Sequence, residues 1–238
     1  ALAVRDAANG GCLAVQIQDP KIAPRHFDLM LIPEHDKVRG PNVMVTRGAV
    51  HRVTAAKLAE AADHWRPLLA HLPTPRVAVL IGGNGAYKLT AERMAALCAT
   101  LATLARNGAG LMVTPSRRTG AAAERMLKEA LAGLPAEIWD GTGDNPYFGY
   151  LALADHVVAT ADSVSMITEA SATGKPVHIL QLPGGSAKFA RFHAAMAAAG
   201  ITRHFAGRLD DWSYPRRDDT AEAGARIRRM MEERGLWP

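Results

Sequence analysis

The sequence predicts an α/β protein built on parallel sheets, and two observations predict it. Apolar runs of strand length alternate with longer segments of helical spacing along most of the chain. The composition supports a real core: 238 residues, 48% hydrophobic and 21% charged, which is ordinary globular usage. Strand–helix alternation of this regularity argues a parallel sheet covered on both faces, doubly wound through right-handed crossovers. Aromatics are only 5%, so Ala, Leu, Val, Ile and Met must fill the core.

Residues 12–16, 28–32 and 43–46 read as strands, and residues 54–69 as a helix. Pro67, Pro73 and Pro75 crowd the stretch that follows, which reads as a hinge or linker. Residues 77–81 are a β-rich run ending in Gly82-Gly83-Asn84-Gly85. Thr90 caps a helix whose Met94, Leu97, Cys98, Leu101 and Leu104 keep i, i+3, i+4, i+7 spacing, and Asn107-Gly108 stops it. A strand at 111–114, a helix at 121–131 and a short strand at 137–139 come next. A short helix at 146–154, opened by Asp144 or Asn145, precedes a strand at 157–160. A helix at 164–173 ended by Gly174, a strand at 177–182, a helix at 189–199 and an Arg-rich helix at 221–234 complete the chain. Ala1 to Asp6 reads as the end of a helix, so the sequence is expected to start inside a domain. The organisation expected is a partial N-terminal Rossmann-like domain at 1–72, a C-terminal Rossmann-like domain at 76–215 and a basic C-terminal helix at 216–238.

Net charge is +5, from 28 basic and 23 acidic residues. A mildly basic chain suits an anionic small molecule, a membrane surface or nucleic acid without choosing among them. Cys12 and Cys98 form no CxxC, so neither a disulfide framework nor a thiolate metal site is indicated, and a reducing compartment fits best. No apolar run approaches the roughly 18 residues of a spanning helix, and no signal peptide is visible. The nine histidines show no ligand spacing and HExxH is absent, so no metal is expected.

Ligands of such sheets gather at the carboxyl ends of the strands, so those loops carry the candidate site. Gly83, Asn84 and Gly85 form either an anion nest or simply a tight βα turn; Lys88 stands where a dinucleotide fingerprint needs its third small residue. The loop Thr114-Pro115-Ser116-Arg117-Arg118-Thr119 offers Ser116 and Arg117 to a phosphate, or is a solvated polar loop. The most specific signal is Asp162 to Glu169. Ser163 is a good N-cap, the free amides of the first turn point to the strand ends, and Ser165 and Glu169 share a helix face. A carboxylate there can accept hydrogen bonds from the vicinal diol of a ribose; otherwise Ser163 only caps and Glu169 only faces water. Gly184-Gly185-Ser186 with Lys188 could again meet a phosphate, or form a flexible loop. In the first half, His35 lies between Glu34 and Asp36 and is a general-base candidate, although a lone surface histidine is the commoner case. No GxSxG is present, so Ser163 is not a hydrolase nucleophile.

Several segments resemble one family. They are Asp144-Asn145-Pro146-Tyr147, Ala154-Asp155-His156-Val157-Val158-Ala159-Thr160, Asp162-Ser163-Val164-Ser165-Met166-x-x-Glu169-Ala170 and Gly174-Lys175-Pro176-Val177. Gln18-Asp19-Pro20, Pro33-Glu34-His35-Asp36, Thr46-Arg47-Gly48-Ala49 and Ser116-Arg117-Arg118-Thr119 belong with them. Together they are similar to the bacterial relatives of the plant mitochondrial-fission "elongated mitochondria" protein, over nearly the whole chain. That family is similar in turn to GT-B glycosyltransferases. The resemblance implies two Rossmann-like domains facing a cleft, the N-terminal one half present because family members begin several strands earlier. It implies a nucleotide-sugar donor on the C-terminal domain, with Glu169 on the ribose and the base near Trp139 to Thr142. The Gly82–Ala86 loop resembles the glycine loop of the peptidoglycan lipid-intermediate transferase. The helix at 221–234 corresponds to the segment that packs back on the N-terminal domain.

These readings lead to a nucleotide-sugar-binding, metal-independent glycosyltransferase with an envelope or lipid-linked acceptor. Helix N-termini with Arg117 or Lys188 would stabilise the departing diphosphate, and His35 or Asp36 would activate the acceptor. No cofactor is expected beyond the nucleotide sugar as substrate, and no nucleic acid as partner. The expected place is cytoplasmic, including a peripheral position at the inner membrane face. The rival is a non-catalytic scaffold that keeps the fold and meets membranes or protein partners. A dehydrogenase is disfavoured by the missing GxGxxG and its downstream acid.

Overall fold

In a computed structural model the described residues are 2–237. In chain order the elements are α1 (Leu2–Ala7), β1 (Val15–Ile17), β2 (Leu29–Pro33), β3 (Val43–Thr46), α2 (Ala55–Leu68), β4 (Arg76–Ile81), α3 (Ala91–Arg106), β5 (Gly110–Pro115), α4 (Ala121–Ala130), β6 (Ala136–Ile138), α5 (Tyr147–Leu153), β7 (His156–Thr160), α6 (Val164–Ser171), β8 (Val177–Leu180), α7 (Ala187–Ala198), β9 (Thr202–His204) and α8 (Asp219–Glu233). Short 3-10 turns stand at Pro24–His26 and Glu34–Asp36. The helix expected to include Ala1 is α1; Ala1 itself lies outside the described residues. Among the described residues no helix is long and apolar enough to cross a membrane.

The chain forms two compact units, one of Ala1–Arg52 with Arg217–Pro238 and one of Val53–Arg216. These borders differ from the expected ones at two places. The proline-rich stretch after α2 is no linker, because Leu69 and Leu72 are both 2% exposed and join the core of the larger unit. The C-terminal helix is not separate, because it covers a sheet face in the smaller unit.

In the smaller unit the sheet order is β1-β2-β3, all parallel. Alternation of side chains along β2 sends Met30 and Ile32 to a cluster with Ala14 and Phe27, and Leu29 and Leu31 to the opposite face. There α8 lays down Ala223, Ile227 and Met230, an i, i+4, i+7 stripe, beside Met44. Asp218 caps α8 by accepting from the Ala221 amide at 2.8 Å, and Asp219 accepts from the Arg47 amide.

In the larger unit the sheet order is β6-β5-β4-β7-β8-β9, again all parallel. Counted within the unit, that is the doubly wound order 3-2-1-4-5-6, which reverses between β4 and β7. Strands β5 and β7 are buried along their whole length, which is why they read as continuous apolar runs. Helices α3 and α4 cover one face. The other is covered by α2, α5, α6 and α7. The short strand β9 was not expected. It is an edge strand whose Thr202-Arg203-His204 has one buried residue, so it carries no apolar run.

Helix α2 presents Leu58, Ala62 and Trp65 to this core, and Trp65 meets Tyr150 of α5 edge-on with centroids 6.3 Å apart. The close approach depends on Gly149. A Cβ there would stand 2.3 Å from Trp65 Cδ1 and 2.8 Å from its Cβ. Gly149→Ala gains roughly 1 kcal/mol of helix propensity, but the overpacking costs about 1–3 kcal/mol. Urea denaturation is expected to show a net loss of stability; a gain would mean that Trp65 swings aside at no cost.

Candidate functional site

The carboxyl ends of β4, β5, β7 and β8 converge at the reversal point of the larger sheet, and Asp162 ties three of them together. Its side chain is 2% exposed. It accepts from the Gly83 amide at 2.9 Å, from Thr160 Oγ1 at 2.6 Å and from Arg118 Nη2 at 3.0 Å. A carboxylate this deep requires such partners. Thr160 in turn accepts from the Gly82 amide at 2.8 Å. The buried Thr119 hydroxyl bonds to the Gly82 carbonyl and accepts from the Ser116 amide, and Ser116 Oγ accepts from the Arg118 amide at 3.2 Å.

This network changes the role of the glycine loop. The Gly82, Gly83 and Gly85 amides donate to Thr160, Asp162 and the Tyr87 carbonyl, and the Asn84 amide points to the Arg118 carbonyl. The loop is therefore no anion nest. Its first glycines make room for the neighbouring loops: a Cβ on Gly82 would lie 2.1 Å from the Asp162 carboxylate, and one on Gly83 1.9 Å from the Arg118 carbonyl. The loop after β8 is clamped against it. Tyr87 and Gly184 form an antiparallel bridge, and the Gly185 amide donates to the Ala86 carbonyl at 2.8 Å. Gly184 and Gly185 both take φ of +99°, which L side chains rarely adopt.

What stays open toward solvent is a short row of groups. The Arg118 guanidinium is half-exposed and lies over Gly85, whose Cβ would stand 3.3 Å from Nη1. Beside it α6 begins. Ser163 caps it by accepting from the Met166 amide at 3.3 Å, and the Val164 and Ser165 amides have no intrahelical acceptor. Ser165 is exposed, and Glu169 follows one turn later, half-exposed. Glu169 Oε2 accepts from the Tyr147 hydroxyl at 2.6 Å. Burial first, then the neighbouring carboxylate, raise the Tyr147 phenol far above its usual range, so it stays a donor. Behind the row, His193 Nε2 lies 2.9 Å from the Ala161 carbonyl, and burial lowers its pKa.

The structure thus brings together Gly83, Gly85, Asp162, Ser163, Ser165 and Glu169 from the predicted set, with Asn84 and Ser116 serving the loops that frame them. Arg117 is exposed and it is Arg118 that reaches Asp162; an irregular loop has no period to tell adjacent arginines apart. Lys188 is exposed at the start of α7. His35 and Asp36 belong to the smaller unit, and His35 is only 4% exposed, not the surface histidine considered from sequence. Tyr147 was missed as a site residue. Its one signal was a tyrosine opening a helix directly after Asp144-Asn145-Pro146. Asn145 Oδ1 accepts from its amide at 3.0 Å from just before the helix, whose cap position is Pro146 rather than the expected Asp144 or Asn145. Among the described residues no three His, Cys, Asp or Glu side chains gather as metal ligands.

Residues 1–231 match the family model described as Mitochondrial fission ELM1. The Mitochondrial fission protein ELM1 of Arabidopsis thaliana is 35% identical over 99% of this chain, and the chain spans 62% of that protein's length. The protein RP120 of Rickettsia prowazekii (strain Madrid E) is 29% identical over 84% of this chain and 68% of its own. Among solved structures, Anabaena Alr3699/HepE in complex with UDP and glucose has a TM-score of 0.45 at 10% identity, over 98% of this chain and 73% of that one. A likeness at that level carries no functional argument.

Proposed function

The chain belongs to the Mitochondrial fission ELM1 family, and on that footing we propose that its larger unit binds the nucleoside diphosphate of a nucleotide sugar. One observation carries the reading. At the reversal point of a doubly wound sheet, a buried carboxylate holds a half-exposed arginine beside a helix start, and one turn into that helix stands a second carboxylate. Arg118 and the Val164 and Ser165 amides suit a diphosphate, which rewards both a guanidinium fork and oriented backbone donors. Glu169 suits the ribose diol. The start of α6 keeps the part expected of it from the sequence, Arg118 takes the part expected of Arg117, and the glycine loop serves as a frame.

On this reading the chain carries the donor part of a metal-independent, GT-B-like glycosyltransferase with an envelope or lipid-linked acceptor. The diphosphate leaving group would gather charge against Arg118 and the helix start. Of the two candidate bases in the smaller unit, Asp36 is the less buried. The burial of His35 favours the second reading, a GT-B-like scaffold that binds donor without transferring it.

A thermal-shift and calorimetric panel of nucleoside diphosphates tests the binding claim. Wild type is expected to bind at least one of them with a micromolar Kd. Glu169→Ala is expected to weaken it about 10- to 100-fold, the worth of one or two hydrogen bonds to a charged acceptor. A flat panel with the wild-type chain would sink the reading.

A further inference from the structure

Resting on that reading, we propose that Tyr147 is a positioning residue that makes the site select ribose over deoxyribose by holding the Glu169 carboxylate in one orientation. The observation is the hydroxyl of Tyr147, at the first position of α5, bonded to Oε2 of Glu169 on α6 at 2.6 Å. Tyr214 in the same unit shows the ordinary use of a half-buried phenol: its hydroxyl points to the backbone carbonyls of Ser171 and Lys175, at 3.1 and 2.8 Å. Tyr147 instead gives its one proton to the carboxylate of the proposed ribose site.

The chemistry follows from what a carboxylate needs in order to discriminate. An unanchored glutamate on a half-exposed helix face samples many rotamers, and a diol must freeze them on binding. With Oε2 tied to Tyr147, the plane of the carboxylate is set before the ligand arrives. Oε1 and the remaining lone pairs then face a fixed place where the vicinal 2′ and 3′ hydroxyls can donate together. A 2′-deoxyribose supplies one donor fewer to acceptors that cannot turn to meet it, and such sites reject the analogue. A carboxylate free to swivel would follow the remaining hydroxyl and lose the distinction.

Tyr147 is itself fixed from the loop side. Asn145 Oδ1 accepts from its amide at 3.0 Å, and its ring packs edge-on to Phe148 with centroids 5.7 Å apart. The loop between β6 and α5 therefore ends on the residue that sets Glu169. Upstream in that loop, Trp139 Nε1 donates to the Thr142 carbonyl at 2.9 Å and the Thr142 amide donates to Asp140 Oδ1 at 2.9 Å.

The test compares the four common nucleoside diphosphates with their 2′-deoxy forms by calorimetry on wild type, Tyr147→Phe, Glu169→Gln and the double variant, each first checked for an unchanged thermal midpoint. Wild type is expected to prefer the ribonucleotide about 10- to 100-fold. Tyr147→Phe should shrink that ratio to about threefold or less, mainly through weaker ribonucleotide binding. Added to Glu169→Gln, it should change the ratio no further, because it acts only through that carboxylate. A ratio untouched by Tyr147→Phe, or a parallel loss for ribo and deoxy ligands, overturns the proposal and leaves the nucleotide site standing. Failure of the wild type to bind any nucleoside diphosphate overturns the nucleotide site, and this proposal falls with it.

Discussion

Asp162→Ala is expected to lower the stability of the larger unit by about 2–4 kcal/mol, the loss associated with stranding buried hydrogen-bond donors at about 1–3 kcal/mol each. The Gly83 amide and the Thr160 hydroxyl would both lose their acceptor inside the protein. Arg118 adds less, because its half-exposed guanidinium can turn to water. Asp162→Asn should fall between wild type and Ala, since an amide keeps one acceptor oxygen but turns an NH2 toward one of the same donors. Arg117→Ala, on the same loop but exposed, should lie within about 0.5 kcal/mol of wild type. Guanidinium denaturation of the three variants checks the order. If Asp162→Ala proves as stable as Arg117→Ala, the carboxylate does not tie these loops together. Nucleotide affinity should track the same order, because Arg118 is aimed by Asp162 and drifts without it.

The parts of this molecule that were legible in the sequence are those decided by local physics. Residues 77–81 and 157–160 read as strands because parallel strands buried on both faces are unbroken apolar runs. Thr90 and Ser163 read as caps because a hydroxyl before a helical stripe has an orphan amide to accept from, and both do so. That Ser165 and Glu169 share one face of α6 was legible from their four-residue spacing. What was illegible depends on distant partners. Prolines at 67, 73 and 75 announce a turn, but nothing in them says that Leu69 and Leu72 are buried in the larger unit. The return of α8 to the sheet of the smaller unit joins Ala223 to Leu29 and Leu31, nearly the whole chain apart. The glycine loop illustrates the same limit at the site. Composition could not tell glycines that admit a ligand from glycines that admit Asp162 and Arg118. Tyr147 stands 22 residues from Glu169, and only the fold makes them partners.

The same contrast between local and distant partners governs the expected response to acid. His178, on β8 beside the edge strand β9, is 1% exposed. It packs edge-on against Trp212 and Phe205 with centroids 4.9 and 6.0 Å away. Burial first, then the nearby His156 and Arg203, lower its pKa from 6.5 to about 4, and Asp210 and Asp211 oppose the shift only in part. The folded-state value lies below the unfolded one, so between these values the unfolded chain binds more protons. Stability therefore falls as pH drops from 6.5 toward 4 and is fully present above that window. A shift of this size corresponds to at most about 3 kcal/mol. His178→Phe keeps a flat ring between Trp212 and Phe205 and removes the titration. Urea midpoints measured from pH 7 to pH 4 should therefore fall less steeply for His178→Phe than for wild type. Equal slopes for wild type and His178→Phe would show that acid lability comes from elsewhere. A shallower slope would make the imidazole a standing cost at low pH, held in the sheet by packing that the neutral ring satisfies and the charged ring does not.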